Sequence, residues 1–185
     1  QDVITALRLL KEAHELEHPL AAYEIGKIYK RQGKNDEYKR QENYDKAFKW
    51  YSKAQQKGLP EAQVQVGDYL RAIWPQQNTD KLDRGGAFIN YEHAARAGNR
   101  KGLYRLGRMY ERERDMPGNL EMAATLFFQS GEKGYCDAFT ALGALYRDPE
   151  YSGYNLDNSR WYLEWATKFK KTEGVAKRLL TDRGH

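Results

Sequence analysis

An internal repeat constrains this chain more than any other feature. AAYEIGKIY (21–29), AQVQVGDYL (62–70), GLYRLGRMY (102–110) and AFTALGALY (138–146) each open on a small residue. A glycine follows five positions later, and a large side chain three after that. Gly26, Gly67, Gly107 and Gly143 lie 41, 40 and 36 residues apart. Between them a second segment recurs as AFKWYSKAQQKG (47–58), AFINYEHAARAG (87–98), AATLFFQSGEKG (123–134) and, more loosely, NSRWYLEWATKF (158–169). Periods of this length mark arrays in which each unit buries its apolar face against its neighbours.

The spacing inside each segment is helical. Ala47, Tyr51, Ala54 and Gly58 are four, three and four apart and fall on one side of a helix. A glycine in a helix interior costs about 1 kcal/mol against alanine, so its return at one register implies that two helix backbones must approach closely there. Gly58, Gly98 and Gly134 end the second helix of each unit, where a left-handed cap suits glycine, and Pro60 opens the next helix. The predicted architecture is all-α: antiparallel helix pairs of about 12–16 residues each, stacked into an α-solenoid. Three stretches read as variable connections: 33–44, 74–83 and 147–157.

The composition agrees. With 40% hydrophobic residues, fourteen Tyr, four Trp and six Phe, the chain can fill a core without metals. Its single cysteine, Cys136, excludes an internal disulfide framework and leaves both cytoplasm and bacterial periplasm open. A leader or lipid anchor upstream of Gln1 would be invisible in this sequence. No apolar run approaches the roughly 20 residues a membrane-spanning helix needs.

These residues resemble the Sel1-like repeat family, a relative of the tetratricopeptide repeat, whose pattern is A…LG…Y followed by A..WY.KAA..G. The likeness covers roughly residues 20–166 and is best where Ala47, Trp50, Tyr51, Lys53, Ala54, Gly58 and Ala62 fall in register. Gly102, Val66, Leu70, Asn158 and Phe169 depart from the pattern. The resemblance implies a right-handed solenoid forming a single array over 1–185. It comprises a half repeat at 1–18, repeats at 19–58, 59–98, 99–134 and 135–170, and a C-terminal capping helix at 171–185. The half repeat rests on Ala6, Leu10 and Ala13.

Catalytic motifs are weak beside this pattern. HELEH (14–18) matches the zinc-protease signature H-E-x-x-H, which needs His14 and His18 one turn apart on a continuous helix with Glu15 as base. Pro19 disfavours helical geometry at His18, and no third ligand is apparent. Cys136 has no histidine near it in sequence, His93 and His185 stand alone, and GLYRLGR lacks the spacing and the Lys-Ser/Thr of a phosphate-binding loop. Glu111, Glu113 and Asp115 of ERERD alternate with arginines as surface ion pairs do. No catalytic residue, metal site or cofactor is predicted.

The resemblance implies that the first helix of each unit lines a concave face. The positions three before, one after and four after each glycine would then point into a groove. They are Tyr23, Lys27 and Lys30; Val64, Asp68 and Arg71; Tyr104, Arg108 and Glu111; Thr140, Ala144 and Arg147; Arg112 is adjacent. This basic, tyrosine-bearing set predicts a non-catalytic scaffold for a partner protein with an acidic surface or peptide. The acids Asp68 and Glu111 interrupt the unbroken basic track that nucleic acid would favour. Two alternatives stay open at this point: an immunity-type inhibitor of a secreted effector such as a phospholipase, and a zinc hydrolase built on HELEH.

Overall fold

The computed structural model describes residues 2–77, 82–112 and 118–181. Among them are ten helices and no strand: α1 (Val3–Glu15), α2 (Ala21–Asn35), α3 (Arg40–Gln56), α4 (Pro60–Gln77), α5 (Leu82–Arg96), α6 (Arg100–Arg112), α7 (Asn119–Glu132), α8 (Cys136–Leu145), α9 (Leu156–Thr167) and α10 (Glu173–Thr181). The chain divides into two compact units, Gln1–Ala94 and Ala95–His185. In the first, α1 packs on α2, α2 on α3 and α3 on α4. In the second, α6 through α10 pack each on the next, and α10 also reaches α8.

One contact repeats four times and explains the sequence period. A Cβ placed on Gly26 would come within 2.6 Å of the Tyr51 ring, on Gly67 within 2.6 Å of Tyr91, on Gly107 within 2.8 Å of Phe127, and on Gly143 within 2.7 Å of Leu163. Each glycine is therefore a socket, and one large side chain of the following helix is its plug. Small residues above and below each plug let the helices close: Ala47 and Ala54, Ala87 and Ala94, Ala123 and Ser130, Ser159 and Ala166, all buried. The two serines stay satisfied because Ser130 Oγ donates to the Arg100 carbonyl and Ser159 Oγ to the Gly143 carbonyl, each at 2.7 Å.

Three of the second helices end on a left-handed glycine: Gly58, Gly98 and Gly134 have φ of 78°, 74° and 80°. At the first of these, Gly58 N–H donates to Gln55 O and Leu59 N–H to Ala54 O, closing the final turn.

The structure corrects several sequence expectations. Residues 33–44 are mostly helical. Gly33 lies inside α2 because its missing side chain makes room for the Tyr44 ring, 3.0 Å from where a Cβ would stand, so only 36–39 connect α2 to α3. In the last repeat the register is one residue later than the Trp161-Tyr162 pair suggests. Ser159 rather than Asn158 takes the small slot, Leu163 rather than Tyr162 is the plug, and α9 is capped by Lys168 without a left-handed residue. Tyr162 instead stacks on Tyr146, ring centroids 5.5 Å apart. Residues 147–155 do connect α8 to α9; of the expected connection 74–83, residues 74–77 continue α4 and 82–83 open α5, while 78–81 lie outside the described residues, as do Glu113, Asp115 and His185.

Candidate functional site

The expected surface residues fall into both units, and each unit is described by itself. In the first, Tyr23 is half-buried and tilted against Tyr51 at 5.6 Å; burial, only partly offset by the nearby Lys27, raises its phenol above the usual range. Lys27 is exposed and paired with Glu24 at 2.8 Å. Val64, predicted to face the groove, is buried at 1% exposure and offers no surface. Arg71 is half-buried on α4. Lys30 and Asp68 come together at one cavity of about 240 Å³ between α2, α3 and α4. Its walls are the rings of Tyr44, Phe48, Tyr51 and Tyr69, with Ala47, Ala72 and Gln65 completing it.

The polar side chains of this cavity are held by neighbours. Lys30 Nζ donates to Gln65 Oε1 at 2.6 Å, and Asp68 Oδ1 accepts from the Tyr91 hydroxyl at 3.0 Å. Tyr69 stacks on Phe48 at 4.2 Å and donates its hydroxyl to Asp45. Burial first, and that bond second, push the Tyr69 phenol up to about 12.

In the second unit the α6 sequence RKGLYRLGRMYER carries five bases and one acid. Tyr104 is half-buried against Phe127 at 5.7 Å and Tyr135 at 5.0 Å, and burial raises its phenol. Arg108 pairs with Glu111 at 2.6 Å while its side chain stays 40% exposed, and Arg112 is exposed. Arg147 is engaged within the unit: its Nη1 donates to the Leu179 carbonyl and ties the turn after α8 to α10. Thr140 and Ala144 are half-buried on α8. Two cations that the glycine-based rule passes over, Lys101 and Arg105, share a face of α6 with Arg108 and Arg112. The spacing is four, three and four, as in the packing seam, and could have found them. The cavity residues Tyr44 and Phe48 share a face of α3 by the same spacing, but only the packing of α3 on α4 brings Tyr69 to them.

The geometry for HELEH chemistry is absent. α1 ends at Glu15, Leu16 caps it, Glu17 has φ of 61°, and His18 lies beyond the helix. His14 packs edge-on against Trp50 at 5.2 Å, and the Leu20 N–H donates to His18 Nδ1 at 3.3 Å. Among the described residues no group of three His, Cys, Asp or Glu side chains is placed to hold a metal ion. Cys136 is half-buried at the start of α8, and no described helix is long and apolar enough to cross a membrane.

No protein-family model and no curated protein matches the sequence. Solved structures do match. One is a protective antigen of uropathogenic Escherichia coli strains displaying an SLR fold, at 19% identity and a TM-score of 0.77, over 97% of this chain and 36% of that one. Another is a Sel1 repeat protein from Oxalobacter formigenes, at 23% identity and a TM-score of 0.68, over 92% of this chain and 64% of that one. The chain thus spans about a third of the first and under two thirds of the second. At these identities the likeness is one of fold: the chain has the all-α Sel1-like repeat solenoid fold.

Proposed function

We propose that this chain is a non-catalytic protein-binding scaffold whose α6 face receives an acidic segment of a partner protein. One observation carries the reading: Lys101, Arg105, Arg108 and Arg112 occupy a single face of α6 beside the half-buried ring of Tyr104. At 1.5 Å rise per residue the stripe runs roughly 16 Å, the length of a short extended or helical peptide. Glu111, already paired with Arg108, is the one acid on α6 and orients that guanidinium. Half-exposed guanidiniums are suited to bidentate pairing with carboxylates. Complementary charge of this kind speeds encounter and selects partners more than it adds raw affinity.

In the first unit Tyr23, Lys27, Lys30, Asp68 and Arg71 make a more balanced surface, since Lys27 pairs with Glu24 and Asp68 adds an acid. That surface contributes shape rather than charge. Arg147 acts as a clamp on α10 rather than as a partner contact.

The test is fluorescence anisotropy with a labelled glutamate-rich peptide and its glutamine counterpart. The wild-type chain should bind the first and not the second, with affinity falling as salt rises. Arg108→Glu with Arg112→Glu should weaken binding at least tenfold without altering the helical circular dichroism. Equal binding of both peptides, or an unaffected double variant, overturns the proposal.

A further inference from the structure

We infer that the cavity between α2, α3 and α4 is a receptor for one large apolar side chain, aromatic or leucine-like, of a bound polypeptide. The inference rests on the protein-binding reading above but concerns a different surface with different chemistry.

Three observations carry it. The first is size. Pockets for drug-sized ligands run to about 300–1,000 Å³, whereas this one holds about 240 Å³, the scale of a single side chain. The second is the lining. Four rings face it, and their positions are fixed independently of any ligand: Tyr51 is the plug of the Gly26 socket, Tyr44 sits against Gly33, and Phe48 and Tyr69 stack on each other. A preformed aromatic wall binds without an ordering cost, the circumstance that makes a buried anchor residue dominate an interface.

The third observation is charge. Lys30 and Asp68 carry opposite signs in the same small space, so their fields largely cancel and neither a cation nor an anion is favoured. Lys30 is engaged with Gln65, Asp68 with Tyr91, and Tyr69 with Asp45. A charged ligand would have to displace those bonds in exchange for its own desolvation, whereas an apolar side chain leaves them intact and covers ring surface. This separates the cavity from the α6 stripe, which presents an excess of cations. A peptide with one bulky apolar residue fits the first surface; an acidic segment fits the second.

The experiment uses ¹⁵N-labelled full chain titrated with N-acetyl-phenylalanine N-methylamide, and in parallel with the glycine analogue. The phenylalanine probe should shift the amides of Lys30, Tyr44, Phe48, Gln65 and Tyr69 in a saturable way, with at least tenfold weaker effects from the glycine probe. Ala72→Phe fills the space from an exposed position and should abolish the shifts. Phe48→Ala, which removes a wall instead, should also weaken the probe several-fold. Equal response to both probes, or full response in both variants, overturns the inference. Acidic-peptide binding measured on the Ala72→Phe protein separates the two proposals: if it persists while the cavity stays silent in the wild type, only the cavity assignment falls.

Discussion

The two units build the same joint from different materials. In the first the plugs are Tyr51 and Tyr91, and the small slots beside them are all alanine. In the second the plugs are Phe127 and Leu163, and serine replaces alanine in one slot of each pair. The polar group has moved. A tyrosine plug carries its hydroxyl past the socket, where Tyr91 meets Asp68; a serine slot turns its hydroxyl onto a carbonyl of the facing helix. The fold thus requires close approach at the glycine and satisfaction of whatever polar atom accompanies it, and leaves the plug's chemistry free. One consequence is functional. The first unit collects hydroxyls, an amide and balanced charge around an aromatic cavity, while the second buries a continuous apolar cluster around Phe127, Leu142 and Leu145 and carries a row of four cations on one face of α6.

The joint is most vulnerable at its plug. Phe127→Ala removes a fully buried ring from the second unit's cluster, and substitutions of this kind cost about 3–5 kcal/mol. Urea denaturation should show that loss, with hydrogen exchange accelerated through α6, α7 and α8. A loss under about 1 kcal/mol would mean that the apolar cluster does not depend on its plug.

A socket gives a smaller effect whose sign can be checked within one unit. Gly67→Ala would drive a methyl into the Tyr91 ring, which is wholly buried and cannot swing aside. Overpacking of about 1–3 kcal/mol exceeds the helix-propensity gain of about 1 kcal/mol, so net destabilisation is expected. Gly85 in α5 has nothing within 4 Å of an added Cβ, and Gly85→Ala should stabilise by up to about 1 kcal/mol. Thermal melts of the two variants should move in opposite directions. Shifts of the same sign would remove the socket account.

The periodic parts of this fold were legible in the sequence because one constraint, backbone contact at a glycine, recurs in every unit and leaves a 3.6-residue imprint on either side. Where a second influence competed, reading failed. Trp161-Tyr162 imitates Trp50-Tyr51, yet Ser159 can approach the Gly143 carbonyl and Asn158 cannot do so from the neighbouring face, so the register slips by one. Gly33 reads as a helix breaker only while its partner Tyr44 is unseen. Positions three residues before each socket lie about 60° around the helix from it, between core and solvent, so local neighbours decide their exposure. Val64 is buried there while Tyr23, Tyr104 and Thr140 are half-buried. The 240 Å³ cavity was illegible for a further reason: Tyr44, Ala47, Phe48 and Tyr51 share one face of α3, and Gln65, Asp68, Tyr69 and Ala72 one face of α4, but neither segment states that these two faces and Lys30 meet.

Glu17 offers the smallest effect, at a position that the second unit fills with glycine, as at Gly134. Among the described residues it is the one non-glycine with positive φ, at 61°. Its place after α1 repeats that of Gly58 after α3: Glu17 N–H donates to His14 O and His18 N–H to Ala13 O at 3.0 and 2.9 Å, the same closing bonds. A side chain in the left-handed region costs about 1–2 kcal/mol, and the extra freedom of glycine in the unfolded chain returns about 0.5–1 kcal/mol of that. Glu17→Gly should therefore stabilise by about 0.5–1 kcal/mol. Because α1 has no buried residue of its own, the gain should appear first as slower amide exchange in its last turn, and only weakly in the global melt. Faster exchange there would mean that the glutamate side chain supplies a contact outweighing its backbone strain, and that α1 ends by a different logic from α3.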